Sequence, residues 1–399
     1  MNILVIDEEF PFPLNTGKRI RTFNLTKGLT KYNQVSFLAY GDSKTDSYQF
    51  MKDNKIIPFT VPPSDRNKLG IKFYGKLFTN LFSPYPYIVT SHYTDLFHKR
   101  LLRLIEENEY DILVCEWTPY ALFIKNISSL KKIIVAHNIE SMIWQRYYEN
   151  EKNLLKQWYI KIQQQKVLNF EKNCFQWADG ATAVSGNDAN IIKTFNLNYE
   201  PEVIENGVDL NYFRPSDNLV DLNTLVFTGS MDWRPNQDAV LYFVNEIFPL
   251  LKEQRPQIKV FFVGRNPPQH ILKLNEIEGI DVTGTVDDVR GYIAKAGLYI
   301  VPLRIGGGSR LKILEAMAMK KAIISTTVGA EGLNVENGVD IILRDKPDDF
   351  ARAVLETLEN QKLRNSFAEN GLKLVRQHYG WDKISLKLNN YLEKVVQSK

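Results

Sequence analysis

The sequence has few cysteines and almost no net charge. Its 399 residues include two cysteines, Cys115 and Cys174, which are not spaced as a C-x-x-C pair. Two cysteines cannot make the disulfide framework of a small secreted domain, so we expect buried thiols in a reducing compartment. The formal net charge of +4 gives no support for a nucleic-acid partner, because nucleic-acid-binding domains are usually strongly basic.

Long hydrophobic runs are absent as well. The N-terminal stretch MNILVIDEE has only a short apolar run before its acidic residues, whereas a signal peptide needs about 7–15 apolar residues. No run approaches the roughly 18 apolar residues of a transmembrane helix. We expect a cytoplasmic protein that is at most peripheral on the inner face of the membrane.

The sequence does contain a repeated alternation of short apolar runs and longer amphipathic stretches, which predicts βαβ units around a parallel sheet. In the first half, strands are predicted at Asn2–Ile6, Gln34–Tyr40, Lys55–Val61, Asp111–Cys115, Lys132–Ala136 and Ala181–Val184, with helices such as Lys18–Lys31 and Thr94–Glu107. The pattern restarts with strands at Thr224–Thr228, Ile258–Val263, Leu298–Pro302, Ala322–Ser325 and Val339–Leu343, and with helices at Asn236–Leu251 and Arg310–Ala318. We therefore predict an α/β protein with two doubly wound domains that meet in the polar stretch Asn211–Asn223.

Binding sites of doubly wound domains lie at the carboxyl ends of the strands. The loop after the first predicted strand contains neither G-x-G-x-x-G nor G-x-x-x-x-G-K-[ST], but it ends in Thr16-Gly17 just before a helix. A glycine at a helix N-terminus lets backbone N–H groups approach an anionic oxygen. Gly17 is therefore a candidate phosphate contact, and an ordinary loop glycine is the alternative.

One histidine, His137, directly follows a predicted strand and precedes Asn138. Because the unperturbed pKa of histidine lies nearest to neutrality, this side chain can donate to a reacting hydroxyl or to a carbonyl. A structural role is the alternative, and it is our interpretation of the other four histidines: His92, His98, His270 and His378. No H-x-x-H or H-E-x-x-H spacing occurs, so we expect no metal.

Glycine-containing loops follow two strands of the second domain. Gly229-Ser230 opens a loop that reaches Arg234 at the start of a helix. A second loop, Gly306–Ser309, follows the strand that ends at Pro302. A glycine-rich loop that leads into a helix N-terminus is an anion-binding arrangement, although three glycines alone would also suit a flexible turn.

The helix after the second loop carries Arg310, Lys312 and Glu315. Cations in a first helical turn oppose the helix dipole, so their presence there indicates a bound anion such as a diphosphate. Glu315 could accept two hydroxyls of a ribose. These residues predict a nucleotide-diphosphate site. Between the two domains, Asn206-Gly207 predicts a tight turn.

In order and spacing, the motifs resemble those of GT-B glycosyltransferases, most closely the retaining enzymes of glycosyltransferase family 4 (group 1). The resemblance covers almost the whole chain and rests on Thr16-Gly17, His137-Asn138, Ile204–Asp209, Gly229–Asn236 and Gly306–Ala318.

This resemblance implies two Rossmann-like domains that face a central cleft. Residues 1–210 plus 381–399 would form the acceptor-side domain, and residues 211–380 would bind the nucleotide sugar. The predicted amphipathic helix Trp381–Val396 would then return to the first domain, the alternative being that it packs on its own domain.

The resemblance also implies roles for single residues. Gly17 would line the donor diphosphate or the acceptor, His137 would hydrogen-bond the donor sugar, and Glu315 is the ribose-binding glutamate of the motif E-x7-E. Four residues would lie on the acceptor side: Thr16, Lys18, Arg19 and Asn138. Others would contact the donor: Gly229, Ser230, Arg234, Gly306, Gly307, Gly308 and Ser309. Members transfer a sugar with retention from a UDP- or GDP-type donor and need no metal or other cofactor.

Two positions depart from the family pattern. The first glutamate of E-x7-E is replaced by Gly307, and the loop after the first strand of the second domain offers only Arg234 in place of the usual Arg and Lys pair. Our hypothesis is that Arg310 and Lys312 replace this pair as catalytic cations, because a reaction without metal needs positive groups at the leaving diphosphate.

The acceptor side suggests a saccharide or a lipid-linked acceptor in the synthesis of cell-surface polysaccharide or glycoconjugate. Pro62–Leu104 carries seven Lys or Arg against two Asp or Glu, interleaved with aromatic residues, and could rest on anionic lipid. A solvated helix face with core aromatics is the alternative. Two other functions stay open, a GT-B-fold nucleotide-sugar epimerase and a non-catalytic nucleotide-sugar-binding protein.

Overall fold

The computed structural model describes residues 1–63, 70–216, 219–305 and 310–398, which form two compact units. Unit 1 comprises Met1–Glu205 with Ile384–Lys399, and unit 2 comprises Asn206–Lys383. Each unit has one sheet in which all paired strands are parallel, with helices in the connections. The predicted α/β class with two doubly wound sheets is confirmed.

The sheet of unit 1 has the strand order β3-β2-β1-β4-β5-β6-β7. Its strands are β1 (Asn2–Glu9), β2 (Gln34–Tyr40), β3 (Ile57–Val61), β4 (Ile112–Cys115), β5 (Lys131–Ala136), β6 (Gly180–Ala183) and β7 (Glu202–Val203). The direction of winding reverses at β1, so the loops after β1, β4 and β5 leave the sheet side by side at its carboxyl edge. The two-residue strand β7 was not predicted.

The helices of unit 1 are α1 (Gly17–Leu29), α2 (Asp46–Asp53), α3 (Ile71–Asn80), α4 (Tyr87–Thr90), α5 (Asp95–Glu107), α6 (Glu140–Asn150), α7 (Leu154–Gln176) and α8 (Gly186–Lys193), with a 3-10 helix at Thr118–Ile124. Hydroxyl groups define the starts of four of them, since Thr16, Thr45, Thr94 and Ser185 each accept a hydrogen bond from a backbone N–H of the first turn.

The sheet of unit 2 has the strand order β10-β9-β8-β11-β12-β13. Its strands are β8 (Asp221–Thr228), β9 (Lys259–Val263), β10 (Ile280–Gly284), β11 (Ala296–Val301), β12 (Ile323–Ser325) and β13 (Ile342–Leu343). Strand β10 was not predicted, because its alternating pattern lies between charged residues. The strand predicted at Val339–Leu343 is reduced to its last two residues.

The helices of unit 2 are α9 (Arg234–Tyr242), α10 (Phe248–Gln254), α11 (Gln269–Leu272), α12 (Arg290–Lys295), α13 (Leu311–Ala318), α14 (Pro347–Glu359) and α15 (Gln361–His378), with a 3-10 helix at Lys273–Glu276. The single helix predicted at Asn236–Leu251 is interrupted by π-helical turns at Phe243–Ile247. Pro249 explains the interruption, because a proline has no N–H for an α-helical hydrogen bond and its ring crowds the preceding turn.

The core of each unit is an apolar sheet covered on its faces by helices. Strands β4 and β11 are buried at every position, as is typical of the inner strands of parallel sheets. Cys115 and Cys174 are both buried and unbridged, and burial raises the pKa of Cys115 above its ordinary value.

The last helix, α16 (Trp381–Gln397), belongs to unit 1 from Ile384 onward. Asn33 Nδ2 donates to Asn389 Oδ1 at 2.6 Å, and the backbone N–H of Ala181 in β6 donates to the Tyr391 hydroxyl at 3.0 Å. Among the helices described, none combines the length and the apolar character needed to cross a membrane.

The Asn206-Gly207 pair does not form the tight turn that the sequence predicts. Val208, the next residue, makes an isolated parallel bridge with Gly380, and its N–H donates to the Tyr379 carbonyl at 2.7 Å. A Cβ atom on Gly207 would lie 2.7 Å from the Trp381 ring. The glycine is therefore required by close packing and not by turn geometry.

Candidate active site

Strands β4 and β5 bring two ionisable side chains together at the carboxyl edge of unit 1. Glu116 follows β4 and His137 follows β5, and His137 Nε2 lies 3.0 Å from Glu116 Oε2. Thr22 of α1 donates its hydroxyl to the same carboxylate oxygen at 3.0 Å. His137 and Glu116 are nearly fully buried, so the pair is held rigidly.

The electrostatic surroundings keep Glu116 ionised. Burial alone would raise its pKa, but the hydrogen bond from His137, the charge of Arg21 and the hydroxyl of Thr22 hold the pKa below its ordinary value. Arg21 is buried and donates to the carbonyls of Ile204 at 2.6 Å and Glu205 at 2.7 Å. Burial lowers the pKa of His137 although Glu116 opposes this change.

Lys18, expected on the acceptor side, is bound by two acidic residues of its own unit. Its ammonium donates to Asp7 Oδ1 at 2.7 Å and to Glu8 Oε1 at 3.2 Å, and it lies 5.0 Å from the centre of the Trp117 ring. Burial raises the pKa of Asp7 to about 7 against the opposing charge of Lys18. Lys18 is therefore part of a charge cluster and not an isolated lysine.

Arg19, in the first turn of α1, is also paired with residues that precede the helix. Its guanidinium donates to both carboxylate oxygens of Glu9, at 2.7 and 2.6 Å, and to Asn15 Oδ1 at 3.0 Å. The neighbouring Thr16 caps α1, of which Gly17 is the first residue. These contacts fix the loop conformation and leave Gly17 at a helix N-terminus, as the sequence predicts.

Asn138 and the start of α6 are supported by a glutamate that sequence reasoning missed. Glu171, buried in α7, accepts the backbone N–H groups of Glu140 at 2.6 Å and Ser141 at 3.0 Å. Its carboxylate thus takes the place of an N-cap residue for α6. Burial raises the pKa of Glu171 to about 7. Half-buried Asn138 lies in the short connection that this contact holds.

At the carboxyl edge of unit 2, Gly229 follows β8 and lies against two polar side chains. A Cβ atom on Gly229 would be 2.8 Å from both Asn236 Nδ2 and Lys312 Nζ. On the other side, a Cβ atom on Gly264, after β9, would lie 1.7 Å from the Gly229 carbonyl oxygen. The loop after β9 can therefore come this close to Gly229 only because position 264 is glycine, whereas the glycine at position 229 leaves room for Asn236 and Lys312.

Ser230, the next residue, joins the same two loops by hydrogen bonds. Its hydroxyl accepts from Arg265 Nε at 2.7 Å and donates to Asp232 Oδ1 at 2.5 Å. Arg265 thus adds a positive charge at this edge, in addition to Lys312, that the sequence alone did not predict. Arg234 is exposed as the first residue of α9.

Lys312 and Glu315 on α13 are two partly buried ionisable groups with strongly shifted pKa values. Burial, and next the charge of Arg310, lower the pKa of Lys312 to about 7. Burial raises the pKa of Glu315 to about 7, although Lys312 opposes this. Lys312 Nζ donates to Asn236 Oδ1 at 2.9 Å and lies 4.0 Å from the centre of the Phe227 ring. For neither group do nearby opposite charges offset the effect of burial on the pKa. Ionisable side chains with such shifted pKa values are typical of ligand-binding sites.

Arg310 does not lie within the helix, as the sequence predicts, but precedes it. It is the N-cap residue of α13 and has a left-handed backbone with φ of 49°. Its guanidinium donates to the carbonyl of Glu331 at 3.3 Å and to Glu331 Oε2 at 3.2 Å. The left-handed residue turns the chain into α13 and directs the side chain to Glu331. The remaining loop residues predicted for the donor site, Gly306–Ser309, lie outside the described residues.

Part of this site could have been found from the sequence. Glu116 stands directly after a buried strand, the same signal that identified His137. The roles of Thr22, Glu171 and Arg265 carry no such local signal, because they depend on contacts across the fold. Among the side chains described, no group of three or more His, Cys, Asp or Glu residues could hold a metal ion.

Two family profiles match the chain. The profile described as Glycosyltransferase Family 4 matches residues 18–212, and that described as Glycosyl transferases group 1 matches residues 223–360. The chain is 21% identical over 295 residues to an uncharacterized 44.6 kDa protein in the cps region of Klebsiella pneumoniae, a match that covers 71% of this chain and 75% of that protein. It is 27% identical over 206 residues to an uncharacterized glycosyltransferase of Methanocaldococcus jannaschii, with 50% and 55% covered.

Solved structures share the fold over nearly the full length. Sucrose-phosphate synthase from Thermosynechococcus elongatus superimposes with a TM-score of 0.71 at 16% identity, covering 99% of both chains. The Anabaena protein HepE, in complex with UDP and glucose, gives a TM-score of 0.67 at 14% identity, covering 98% of this chain and 99% of its own. These structures show that the chain has the GT-B fold, and the two profiles, which together match most of its length, show that it belongs to the glycosyltransferases of the group 1, family 4 type and is a glycosyltransferase.

Proposed function

We propose that this transferase moves a sugar, with retention, from a nucleotide-diphosphate sugar to a saccharide or lipid-linked acceptor, without a metal. The observation that carries the proposal is the presence of Lys312 and Glu315 on α13, where Lys312 lies against Gly229, the residue that follows β8. The lysine, whose pKa is lowered, can bind the phosphates of a nucleoside diphosphate. The glutamate, whose pKa is raised, can bind the hydroxyls of its ribose.

The donor side is assigned to the carboxyl edge of unit 2. Lys312 binds the diphosphate, Glu315 accepts the ribose hydroxyls, and Arg265 adds positive charge beside Ser230. The complex of HepE contains UDP and glucose, which favours a UDP-type donor over a GDP-type donor. Arg310, which donates hydrogen bonds to Glu331, is the second cation that we propose at the leaving diphosphate.

Sugar transfer breaks the bond between the anomeric carbon and a diphosphate oxygen while the acceptor oxygen bonds to that carbon. Negative charge grows on the departing diphosphate, and its oxygen takes the proton that the acceptor hydroxyl loses. Positive side chains already in place at the diphosphate stabilise that charge without a metal. His137 hydrogen-bonds the donor sugar in this proposal, as the family resemblance implies.

The test is a transfer assay with a panel of UDP- and GDP-sugars, preceded by a thermal-shift screen. A donor at 100 times its Kd stabilises the protein by about 2.7 kcal/mol. We expect Lys312→Met to weaken nucleotide binding roughly 10–100-fold, because a charge-assisted hydrogen bond contributes about 1.5–3 kcal/mol.

Exposed Lys373 on α15 provides a matched control, and Lys373→Ala should bind like the wild type. Equal binding by Lys312→Met would contradict the donor site. Addition of EDTA should leave turnover unchanged. Donor turnover without any acceptor would indicate the epimerase, and binding without turnover would indicate a binding protein.

The pathway and membrane parts of the proposal rest on other observations. The cps region named for the Klebsiella relative favours polysaccharide synthesis. Within Pro62–Leu104, the stripe Tyr74, Phe78 and Phe82 is 69%, 63% and 81% exposed. Tyr74 and Phe78 lie one turn apart on α3, and Phe82 follows just after its end. Three large aromatic side chains that face solvent are more than a solvated surface requires, and they favour contact with a membrane surface.

A second exposed apolar set lies at the start of α7, the helix that contacts the end of α3. Leu154, Leu155 and Trp158 at the start of α7 are 79%, 80% and 56% exposed. Further along α7, Gln163 Nε2 donates to Asn80 Oδ1 at 3.0 Å and so joins α7 to the end of α3. Residues 70–83 and 142–166 carry seven basic against two acidic residues, which suits an anionic lipid surface.

Vesicle sedimentation tests this contact. We expect the protein to pellet with phosphatidylglycerol vesicles and much less with phosphatidylcholine vesicles. The double variant Phe78→Ser with Phe82→Ser should stay in the supernatant, whereas Tyr32→Ser, which removes an exposed aromatic elsewhere in unit 1, should pellet like the wild type. The absence of lipid-dependent pelleting would refute the contact.

A further inference from the structure

The contact between Glu116 and His137 decides which nitrogen of the histidine carries the proton. His137 Nε2 lies 3.0 Å from Glu116 Oε2, and the hydroxyl of Thr22 approaches the same oxygen at 3.0 Å. An ionised carboxylate can only accept hydrogen bonds. Both hydrogens must therefore come from the partners, so Nε2 of His137 carries a proton.

The other ring nitrogen, Nδ1, is left without a proton. The charged groups that face His137 are Glu116 from the β4 loop and the cations Arg21 and Lys18 from α1. The two cations and the burial of the ring oppose a second proton, and Glu116 is already satisfied by the first. No hydrogen-bond partner of His137 Nδ1 occurs among the described residues. Nδ1 thus presents a lone pair.

We propose that Glu116 is a positioning residue that fixes His137 in the Nε2–H tautomer, so that Nδ1 accepts a hydrogen bond from a hydroxyl group of the donor sugar. The tautomer follows from the contacts in unit 1, and the identity of the ligand rests on the proposed function. This reverses the direction expected from the sequence, in which the histidine donates. The group that His137 recognises is then a free sugar hydroxyl, and a carbonyl oxygen would be rejected.

The tautomer can be read directly by NMR of the full-length protein labelled with ¹⁵N-histidine. The signals of His137 are assigned by comparison with His137→Gln. We expect a protonated Nε2 and an unprotonated Nδ1 between pH 6 and 8. The opposite tautomer, or a doubly protonated ring in this range, would overturn the proposal, whether or not the protein shows transferase activity.

The variant Glu116→Gln separates positioning from support of the fold. A glutamine can donate from its amide to Nε2, so we expect the Nδ1–H tautomer to become populated while the other histidine signals stay in place. An unchanged tautomer would show that Glu116 does not set it. The control Glu200→Gln, which neutralises an exposed partner of Lys193 in the same unit, should leave the His137 signals unchanged.

The ligand is tested by titration with UDP-glucose and its four monodeoxy analogues. We expect one analogue to bind the wild type roughly tenfold more weakly, the effect of one lost hydrogen bond, and its deficit to fall below about twofold in Glu116→Gln. Equal deficits in both proteins would contradict the role of Nδ1. If UDP-glucose does not bind, the proposed donor fails while the NMR result on the tautomer still stands.

Discussion

Lys312 and Glu315 show how burial prepares a binding site at the scale of single residues. Burial disfavours the charge of each group. It lowers the pKa of Lys312 to about 7 and raises the pKa of Glu315 to about 7. A bound diphosphate would stabilise the charged form of Lys312, and ribose hydroxyls would stabilise the charged form of Glu315. Binding of the donor would therefore change the protonation of both groups.

This pair predicts that the sign of proton exchange on UDP binding depends on pH. At pH 8 free Lys312 is mostly neutral and Glu315 is already ionised, so a diphosphate that raises the pKa of Lys312 should cause proton uptake. At pH 6 Lys312 is already charged and Glu315 is mostly protonated, so ribose hydroxyls that lower the pKa of Glu315 should cause proton release. Isothermal titration calorimetry with UDP, carried out in two buffers of different ionisation enthalpy, measures the proton uptake at pH 8 and the proton release at pH 6.

The variant Lys312→Met supplies the control for this prediction. It should abolish the uptake at pH 8 and keep the release at pH 6. Heats that do not depend on the buffer at either pH would show that neither group responds to the nucleotide.

At the scale of elements, the decisive feature of unit 2 is the close approach of the loops after β8 and β9. Gly229 and Gly264 lie back to back, and Ser230 is bound by Arg265. Asn236 of α9 and Lys312 of α13 lie against the backbone of Gly229. The glycine of the β8 loop is thus a spacer that sets the position of the lysine ammonium.

Replacement of Gly229 by alanine should displace Lys312. The added Cβ atom would be 2.8 Å from Lys312 Nζ, so the ammonium must move, and we expect UDP binding to weaken at least tenfold with little loss of thermal stability. Isothermal titration gives the Kd. Gly291→Ala in α12 is the matched control, since nothing lies within 4 Å of its added Cβ, and it should bind normally and stabilise the helix by about 0.5–1 kcal/mol. Normal binding by Gly229→Ala would refute the spacer role.

At the scale of the whole molecule, the chain completes unit 1 with its last residues. The Tyr391 hydroxyl accepts the N–H of Ala181, and Ser385 packs so tightly on α1 that a Cβ atom on Gly28 would lie 2.2 Å from it. A strand of the first half thus depends on a contact more than 200 residues later in the sequence. Such long-range closure links the integrity of unit 1 to the end of the chain.

Tyr391→Phe should destabilise unit 1 without changing its shape. The buried N–H of Ala181 would lose its partner, at a cost of about 1–3 kcal/mol, or roughly 2–4 °C in Tm for each kcal/mol. Hydrogen exchange at β6 should accelerate in parallel. Tyr32→Phe, at an exposed position, should change neither quantity. Unchanged exchange at β6 in Tyr391→Phe would show that the tail is not needed for this strand.

The sequence by itself determined the α/β class, the two parallel sheets and the loops that follow β1, β5 and β8. It could do so because buried strands are continuous apolar runs and because a polar or glycine residue directly after such a run marks a sheet edge. His137 and Gly229 were selected as site candidates by this signal and Glu315 by its place in the helix after a glycine-rich loop, and the order of the motifs identified the glycosyltransferase family. Strand β10 and the break near Pro249 were missed, since charged neighbours and a helical period concealed them.

Only the tertiary structure decided what each side chain of the site contacts. It paired Glu116 with both His137 and Thr22, bound Lys18 and Arg19 to the acids of β1, and placed Arg310 on Glu331 ahead of α13. It also showed that Asn206-Gly207 forms no turn and that Gly207 packs against Trp381. The physical reason is that hydrogen bonds and pKa shifts depend on distance and burial in three dimensions. These quantities are set by strand order and by residues far apart in sequence, and no local pattern encodes them.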